Sequence, residues 1–277
     1  MTKLGVLFSV LGVGAGCIPA FAQKQFPNII VMLSDDQGWG DLGFTGNTFV
    51  QTPNIDRIAH EGTILENFYV CPVSSPTRAE FLTGRYHVRS GVNSTTGGGE
   101  RFNLGEKTIA EYFREAGYAT SLFGKWHSGT QYPYHPNARG FEEFYGFCSG
   151  HWGNYWNPVL EHNGEIISGE GFIIDDLTDK ALDYIRDHKE HPFFMFLSYN
   201  TPHSPMQVPD SWWNRVKDRT LSQRATFPEQ EDTTFTKAAL ALAENLDWNI
   251  GRVLSLLHSL DLEQETIVIY FSDNGCL

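Results

Sequence analysis

Positive charge is in short supply. The 277 residues include 20 Lys and Arg against 33 Asp and Glu, a formal net charge of -13. A nucleic-acid binder usually carries a basic face, so this balance argues against one. It leaves an anionic substrate open, because a few Lys, Arg and His with a metal can dominate inside a cleft. Cysteine is scarce too. The chain has 4, and Cys17, Cys71, Cys148 and Cys276 are too widely spaced for a zinc pattern. Charged residues make up 19%, too few for a disordered chain. There is no internal repeat. Past residue 22, no apolar run is long enough to span a bilayer. What is there is 41% apolar residues, ordinary for a globular protein with a sizeable core, in a length that allows one large α/β domain or two small ones.

The first 22 residues stand apart. Lys3 is a short positive start, "LGVLFSVLGVGAG" is an apolar stretch, and Ala20-Phe21-Ala22 fits the small-x-small cleavage rule. The reading is a signal peptide over 1–22, cut after Ala22. A lipoprotein cut before Cys17 would need a better residue than Gly14 three positions earlier, and a buried N-terminal helix is the bland alternative. Residues 23–277 would then be exported and soluble, in a periplasm or outside the cell. Three cysteines would remain, enough for at most one disulfide, and no pairing is assigned.

"PNIIVMLSDD" (27–36) is a continuous apolar run ending in acid, as expected of a buried parallel strand. "ATSLFGKWH" (119–127), "PFFMFLSYN" (192–200) and "TIVIYFSDN" (266–274) read as three more. Helices are expected over 107–118, stopped by Gly117, over 177–188 and over 236–260. In the last, Leu246, Ile250, Val253, Leu257 and Leu260 mark one face. Alternating strands and helices predict an α/β fold, a mostly parallel sheet with helices on both faces. Ligands then sit at the carboxyl ends of the strands. Those ends carry Asp35-Asp36, Lys125 with His127, His203, and Asp273-Asn274. Two stretches are irregular: "NSTTGGGERFN" (93–103), a loop by composition, and "SGHWGNYWNPVLEHNGE" (149–165). The second concentrates Trp152, Tyr155 and Trp156. It reads either as core packing or as an aromatic platform for a sugar ring.

Asp35, Asp36, Asp273 and Asn274 make a hard, all-oxygen set suited to Ca²⁺ or Mg²⁺. Arg78, Lys125, His127 and His203 could surround a tetrahedral anion. With a metal they would form a clamp for charge developing on a transferred phosphoryl or sulfuryl group.

"CPVSSPTRAEFLTGR" (71–85) and "GYATSLFGKWH" (117–127) carry a resemblance. The chain resembles the type I sulfatases of the alkaline-phosphatase-like superfamily. Their first signature is Cys or Ser, then Pro two residues on and Arg four on, closing with Thr-Gly-Arg. From Cys71 the pattern meets Val73 and Ser75 and fails. From Ser74 it meets Pro76 and Arg78, and Thr83-Gly84-Arg85 closes it. Phe123 stands in the second signature where a smaller residue is usual. "DDQGWGDLG", "TPHSP" and "SDNG" are similar to further family motifs, so the likeness covers nearly all of 26–275.

The resemblance implies that Ser74 is oxidised to Cα-formylglycine by a radical-type maturase. One hydroxyl of its hydrate attacks sulfur, and the other expels sulfate. It further implies Ca²⁺, with Mg²⁺ the other candidate, on Asp35, Asp36, Asp273, Asn274 and modified Ser74. Arg78 and Lys125 would stabilise the modified side chain. His127 would assist its turnover, and His203 would contact sulfate or protonate the leaving oxygen. The substrate class is a sulfate ester, favouring sulfated glycans. A phosphate or phosphonate ester hydrolase on the same fold and a non-catalytic remnant are the rival readings.

The family pattern continues past Asp-Asn-Gly with a further active-site Lys, the remaining sheet edge and a smaller domain. Here Leu277 follows Gly275 by two residues. The expectation is a catalytic domain over 23–277, incomplete at its C-terminus, that is poorly soluble and essentially inactive alone.

Overall fold

The computed structural model describes residues 26–222 and 224–275. The leader expected over 1–22, Cys17 and Cys276 lie outside them. The chain opens with β1 (Asn28–Asp35), then α1 (Pro53–Glu61), α2 (Ser74–Thr83), α3 (His87–Ser90) and α4 (Ile109–Glu115). Next come β2 (Ala119–Lys125), β3 (Glu143–Phe147), β4 (Val159–His162), β5 (Glu165–Ser168) and α5 (Ile173–His188). β6 (Phe193–Pro202), α6 (Asp210–Val216), α7 (Thr233–Ser259) and β7 (Thr266–Ser272) complete it.

The sheet runs β5-β4-β3-β2-β6-β1-β7. The pairs from β3 through β7 are parallel, while β3–β4 and β4–β5 are antiparallel. This is the expected mostly parallel α/β sheet. Alternate residues of the buried strands serve opposite faces. Ile30 and Met32 join the core under α5 and α7, with Leu177, Leu246 and Ile250. Val31 and Leu33 join the core under α2 and α4, with Ala79, Leu82 and Ala110. Both faces are thus covered, which is why these strands read as unbroken apolar runs. β7 lies at the edge, with Ile267 and Ile269 exposed. Among the described residues no helix is long and apolar enough to cross a membrane.

Several details differ from expectation. The helix sought over 107–118 is shorter, because Thr108 caps it: Thr108 Oγ1 accepts from Glu111 N while Glu111 Oε2 accepts from Thr108 N. The strands over 119–127 and 266–274 end at Lys125 and Ser272, leaving His127, Asp273 and Asn274 just past them. The aromatic stretch 149–165 belongs to packing more than to a platform. Tyr155 is buried and its hydroxyl donates to the His203 carbonyl at 2.8 Å, while Trp152 stacks on Phe147 at 4.9 Å. Of the three aromatics, Trp156 is the exposed one. The same stretch also starts the β4–β5 hairpin, which turns at Asn163-Gly164, both at positive φ.

One long-range cap ties α7 to α1. Thr52 offers no side-chain cap to α1. Asp247 of α7 replaces it, accepting from Asn54 N at 3.0 Å and Ile55 N at 2.8 Å. Burial pushes this carboxyl up to about 6, although both amides oppose the shift. A raised carboxyl pKa means the folded chain holds the proton more tightly than the unfolded chain. Its contribution is therefore complete below about pH 4 and lost as pH rises through about 6. Asp247→Asn keeps an acceptor and removes the titration. Between pH 4 and 7 the stability of the wild type relative to this variant should fall by on the order of 2–3 kcal/mol. Denaturant titrations at both pH values measure it, and a pH-independent difference would remove the assignment.

Candidate active site

The site begins with helix α2. Ser74 is its first residue, and Pro76 sits in the first turn, where a missing N–H leaves no bond unmade. Arg78 lies four residues on, so both side chains share one face. The helix closes on Gly84 at φ 65, a left-handed cap that glycine adopts without strain. Cys71 precedes the helix and points elsewhere, its Sγ 3.5 Å from His87 Nδ1.

Around Ser74 the residues named from sequence converge. Ser74 Oγ donates to Asp273 Oδ2 at 2.6 Å and accepts from Arg78 Nε at 2.8 Å. His127 Nδ1 is 3.1 Å from the same oxygen. Arg78 Nη2 pairs with Asp273 Oδ2 at 2.8 Å and approaches Asp35 Oδ1 at 3.6 Å. Lys125 Nζ donates to both Asp35 oxygens at 2.7 Å. Asp36 N donates to Asp273 Oδ1 at 3.2 Å, and Asn274 Nδ2 to Asp36 Oδ1 at 2.6 Å. Asp36 and His127 hold left-handed backbones, φ 64 and 59, which non-glycine residues seldom adopt. His203 stands at the rim: Nε2 is 3.6 Å from Asp36 Oδ2, and its ring is 5.3 Å from that of His151.

Four of these groups are buried charges. The side chains of Arg78, Lys125, Asp35 and Asp273 are each 2% exposed or less. Burial pushes Asp35 up to about 6, and Lys125 opposes it. Burial also acts to raise Asp273, but Arg78 and Lys125 outweigh it and hold that carboxyl down at about 2. Burial pushes the Lys125 ammonium below its usual range, with Asp35 acting the other way. Burial, helped by Lys125, drives His127 down to about 3, so the imidazole is neutral at neutral pH. Its Nε2 lies 2.9 Å from the Thr95 carbonyl, which can only accept. The proton therefore sits on Nε2, and Nδ1 presents a lone pair to Ser74.

Oxygen donors gather at one side of this cluster. Ligand atoms of Asp35, Asp36 and Asp273 lie within 4.8 Å of one another. Asn274 Oδ1 is buried beside them with no hydrogen-bond partner. An all-oxygen set with an orphaned amide oxygen fits a hard dication.

Two contributors escaped the sequence reading. Ser198, inside the apolar run of β6, accepts from Arg78 Nη1 at 2.5 Å and donates to the Lys125 carbonyl at 2.7 Å. Gly124 allows this, because a Cβ there would stand 1.9 Å from the Ser198 carbonyl oxygen. A lone hydroxyl in an unbroken apolar run was the available signal. Thr95 acts through its carbonyl, which no residue type announces.

Ser198→Ala should leave buried Arg78 short of one partner and lower stability by about 1–3 kcal/mol in denaturant titration. Ser198→Thr, which keeps the hydroxyl, should recover most of that. Equal stability of Ser198→Ala and wild type would show that the hydroxyl does not hold Arg78.

Comparisons with known proteins give the family. The sulfatase family model matches residues 27–276. N-acetylgalactosamine-6-sulfatase from Homo sapiens is 31% identical over 95% of this chain and 52% of its own length. The chain thus spans about half the length of that relative. Arylsulfatase from Klebsiella aerogenes is 28% identical over 99% of this chain and 71% of its own. Among solved structures, Ps i-CgsB in complex with k-i-k-neocarrahexaose superimposes with a TM-score of 0.78 at 31% identity. That match covers 91% of this chain and 59% of the other. With the family model spanning both strand-end clusters and the Ser74 helix, the chain belongs to the sulfatase family, on the alkaline-phosphatase-like α/β fold.

Proposed function

We propose that this chain is the catalytic part of an exported sulfatase that hydrolyses sulfate esters of glycans. The observation that carries the reading is a count of protons at residue 74. Two acceptors face Ser74 Oγ: Asp273 Oδ2 at 2.6 Å and the lone pair of His127 Nδ1 at 3.1 Å. A serine hydroxyl has one proton and can serve only one of them. A geminal diol on the same carbon has two. The site is thus matched to a hydrated Cα-formylglycine, made from Ser74 by a radical-type maturase.

Formylglycine hydrate supplies one hydroxyl to attack sulfur and a second whose deprotonation releases sulfate. The oxygen set of Asp35, Asp36, Asp273, Asn274 and residue 74 would hold Ca²⁺, or Mg²⁺, which supplies positive charge to the ester oxygens. Arg78, pinned by Asp273 and Ser198, fixes the direction of side chain 74. His127 Nδ1, neutral and already aimed, takes the proton from the second hydroxyl. Lys125 keeps a cation beside the reacting group in a water-poor pocket, where it counts for more than in water. His203, partly exposed at the rim, is placed to meet the leaving oxygen. Its Nδ1 is 2.7 Å from the Ser204 carbonyl, an acceptor, which leaves Nε2 facing inward.

The glycan assignment rests on relatives: an N-acetylgalactosamine-6-sulfatase and a structure with a bound neocarrahexaose. Export rests on the leader read over residues 1–22. The test is made on the full-length protein, of which this chain is proposed to be the catalytic part, co-expressed with a serine-oxidising maturase. The peptide carrying residue 74 should be about 2 Da lighter than its unmodified form. Sulfate should be released from aryl sulfate and sulfated glycan fragments. Asp36→Ala should lose the bound dication, read by elemental analysis, and at least about 100-fold in rate. Full activity with unmodified Ser74, full activity after exhaustive chelation, or faster release of phosphate than sulfate from matched aryl esters would each overturn the proposal.

A further inference from the structure

Cys71 takes no part in the chemistry above, yet it is not idle. It meets Glu80 and His87 on the outer side of helix α2. One ligand atom from each of the three lies within 4.8 Å of the others. Sγ of Cys71 is 3.5 Å from Nδ1 of His87, and that nitrogen is 2.7 Å from Glu80 Oε1. We propose that Cys71, Glu80 and His87 form a second metal site, for a borderline-soft dication such as Zn²⁺, distinct from the oxygen-lined site.

Geometry supports it first. Tetrahedral Zn²⁺ bound at about 2.3 Å to sulfur and about 2.0 Å to nitrogen separates those two atoms by about 3.6 Å. The Cys71–His87 spacing already matches. The Glu80 carboxylate must back away by roughly half an ångström to do the same, a small change for a side chain with three free torsions. Glu80 Oε1 also accepts from His87 N at 3.1 Å, which holds the carboxylate at the site. Cys71 is held in turn, its N donating to Thr77 Oγ1 at 2.9 Å.

Protonation is compatible. His87 Nε2 has no protein partner among the described residues, so it can carry the ring proton and free Nδ1 for a metal. The thiol is held protonated by burial and by the Glu80 charge. Binding therefore releases the Sγ proton to solvent while one S–metal bond forms, as expected for thiolate ligation. His87 and Glu80 are 25% and 31% exposed, leaving a way in and room for water as a fourth ligand. A sulfur, nitrogen and oxygen set selects Zn²⁺ over Ca²⁺ and Mg²⁺.

A similar trio, His135, Cys148 and Glu161, fails the same test. There Asn137 N donates to His135 Nδ1, so the proton must sit on Nε2, the nitrogen that faces Glu161. No lone pair remains for a metal, and Cys148 is buried. That cluster is a hydrogen-bonded core and serves as an internal control.

The location suggests the role. Cys71 lies just before α2, Glu80 in its last turns, and His87 opens α3 beyond Gly84. A metal on all three would tie both ends of the helix that carries Ser74 and Arg78.

The test is titration of the purified full-length protein, held in excess Ca²⁺, with Zn²⁺ and separately with Co²⁺. Peptide mass spectrometry follows alkylation of Cys71 and Cys148 by iodoacetamide. With Zn²⁺ near one equivalent, alkylation of Cys71 should slow ~10-fold or more while Cys148 is unchanged. Co²⁺ should give a thiolate-to-cobalt charge-transfer band that is absent from Cys71→Ser. His87→Gln should weaken Co²⁺ binding ~10-fold or more. Unchanged alkylation of wild-type Cys71 in excess Zn²⁺, or a band that persists in folded Cys71→Ser, would overturn the site. The wild-type alkylation readout does not depend on any variant folding.

Discussion

Four buried charges, Arg78, Lys125, Asp35 and Asp273, hold one another at the carboxyl edge of the sheet. Each comes from a different element: α2, β2, β1 and the turn after β7. Taking an ion out of water carries a penalty of several kcal/mol unless a partner and further hydrogen bonds offset it. Here every charge has a partner, and Arg78 and Asp273 have further bonds, to Ser198 and the Lys125 carbonyl and from Ser74 and Asp36 N. The arrangement survives only if β7 sits beside β1, β6 separates β1 from β2, and α2 presents Arg78 to that edge. The sheet order and the site are thus one constraint seen twice. A strand out of register would strand a charge as well as misplace a ligand.

That constraint also explains the unusual local features. Left-handed backbones at Asp36 and His127 turn the chain at the ends of β1 and β2, where the side chains must point back over the sheet. Gly124 lets the β6 backbone approach closely enough for Ser198 to reach both Arg78 and the Lys125 carbonyl. The neutrality of His127 follows from the same burial and from the cation beside it. A charged imidazole there would add a third cation to a closed pocket. Two chemically different donor sets flank helix α2. One is all oxygen and lies at its start, and the other mixes sulfur, nitrogen and oxygen on its outer side. Hard and borderline ions would therefore not compete for the same place.

Much of this was legible in the sequence, for reasons that differ by residue. Strands β1, β2 and β6 announced themselves because a parallel strand buried on both faces needs an unbroken apolar run, and β7 is equally apolar although Ile267 and Ile269 lie exposed at the edge. Ser74 was separable from Cys71 because the sulfatase signature the chain resembles puts Pro two and Arg four residues on, and only one register supplies them. The acids at strand ends stood out because each pair closes an apolar run. β3 was too short to stand out, and β4 and β5, half exposed, showed weak alternation. Their Asn163-Gly164 turn was the readable signal that went unused. The aromatic stretch was ambiguous because composition does not say which way a ring faces. Tyr155 turned inward, since its hydroxyl finds backbone carbonyls there.

The sequence by itself determined the inventory: the apolar strands β1, β2, β6 and β7, and the acids, bases and amide available for chemistry. These are local properties, set by residue type and spacing within one element. Tertiary structure alone decided which acceptors face Ser74, which proton His127 keeps, how Ser198 anchors Arg78, and that Cys71 meets Glu80 and His87. Those depend on atoms brought together from distant segments, often on backbone carbonyls such as that of Thr95, and only the packed sheet and its crossovers set such distances.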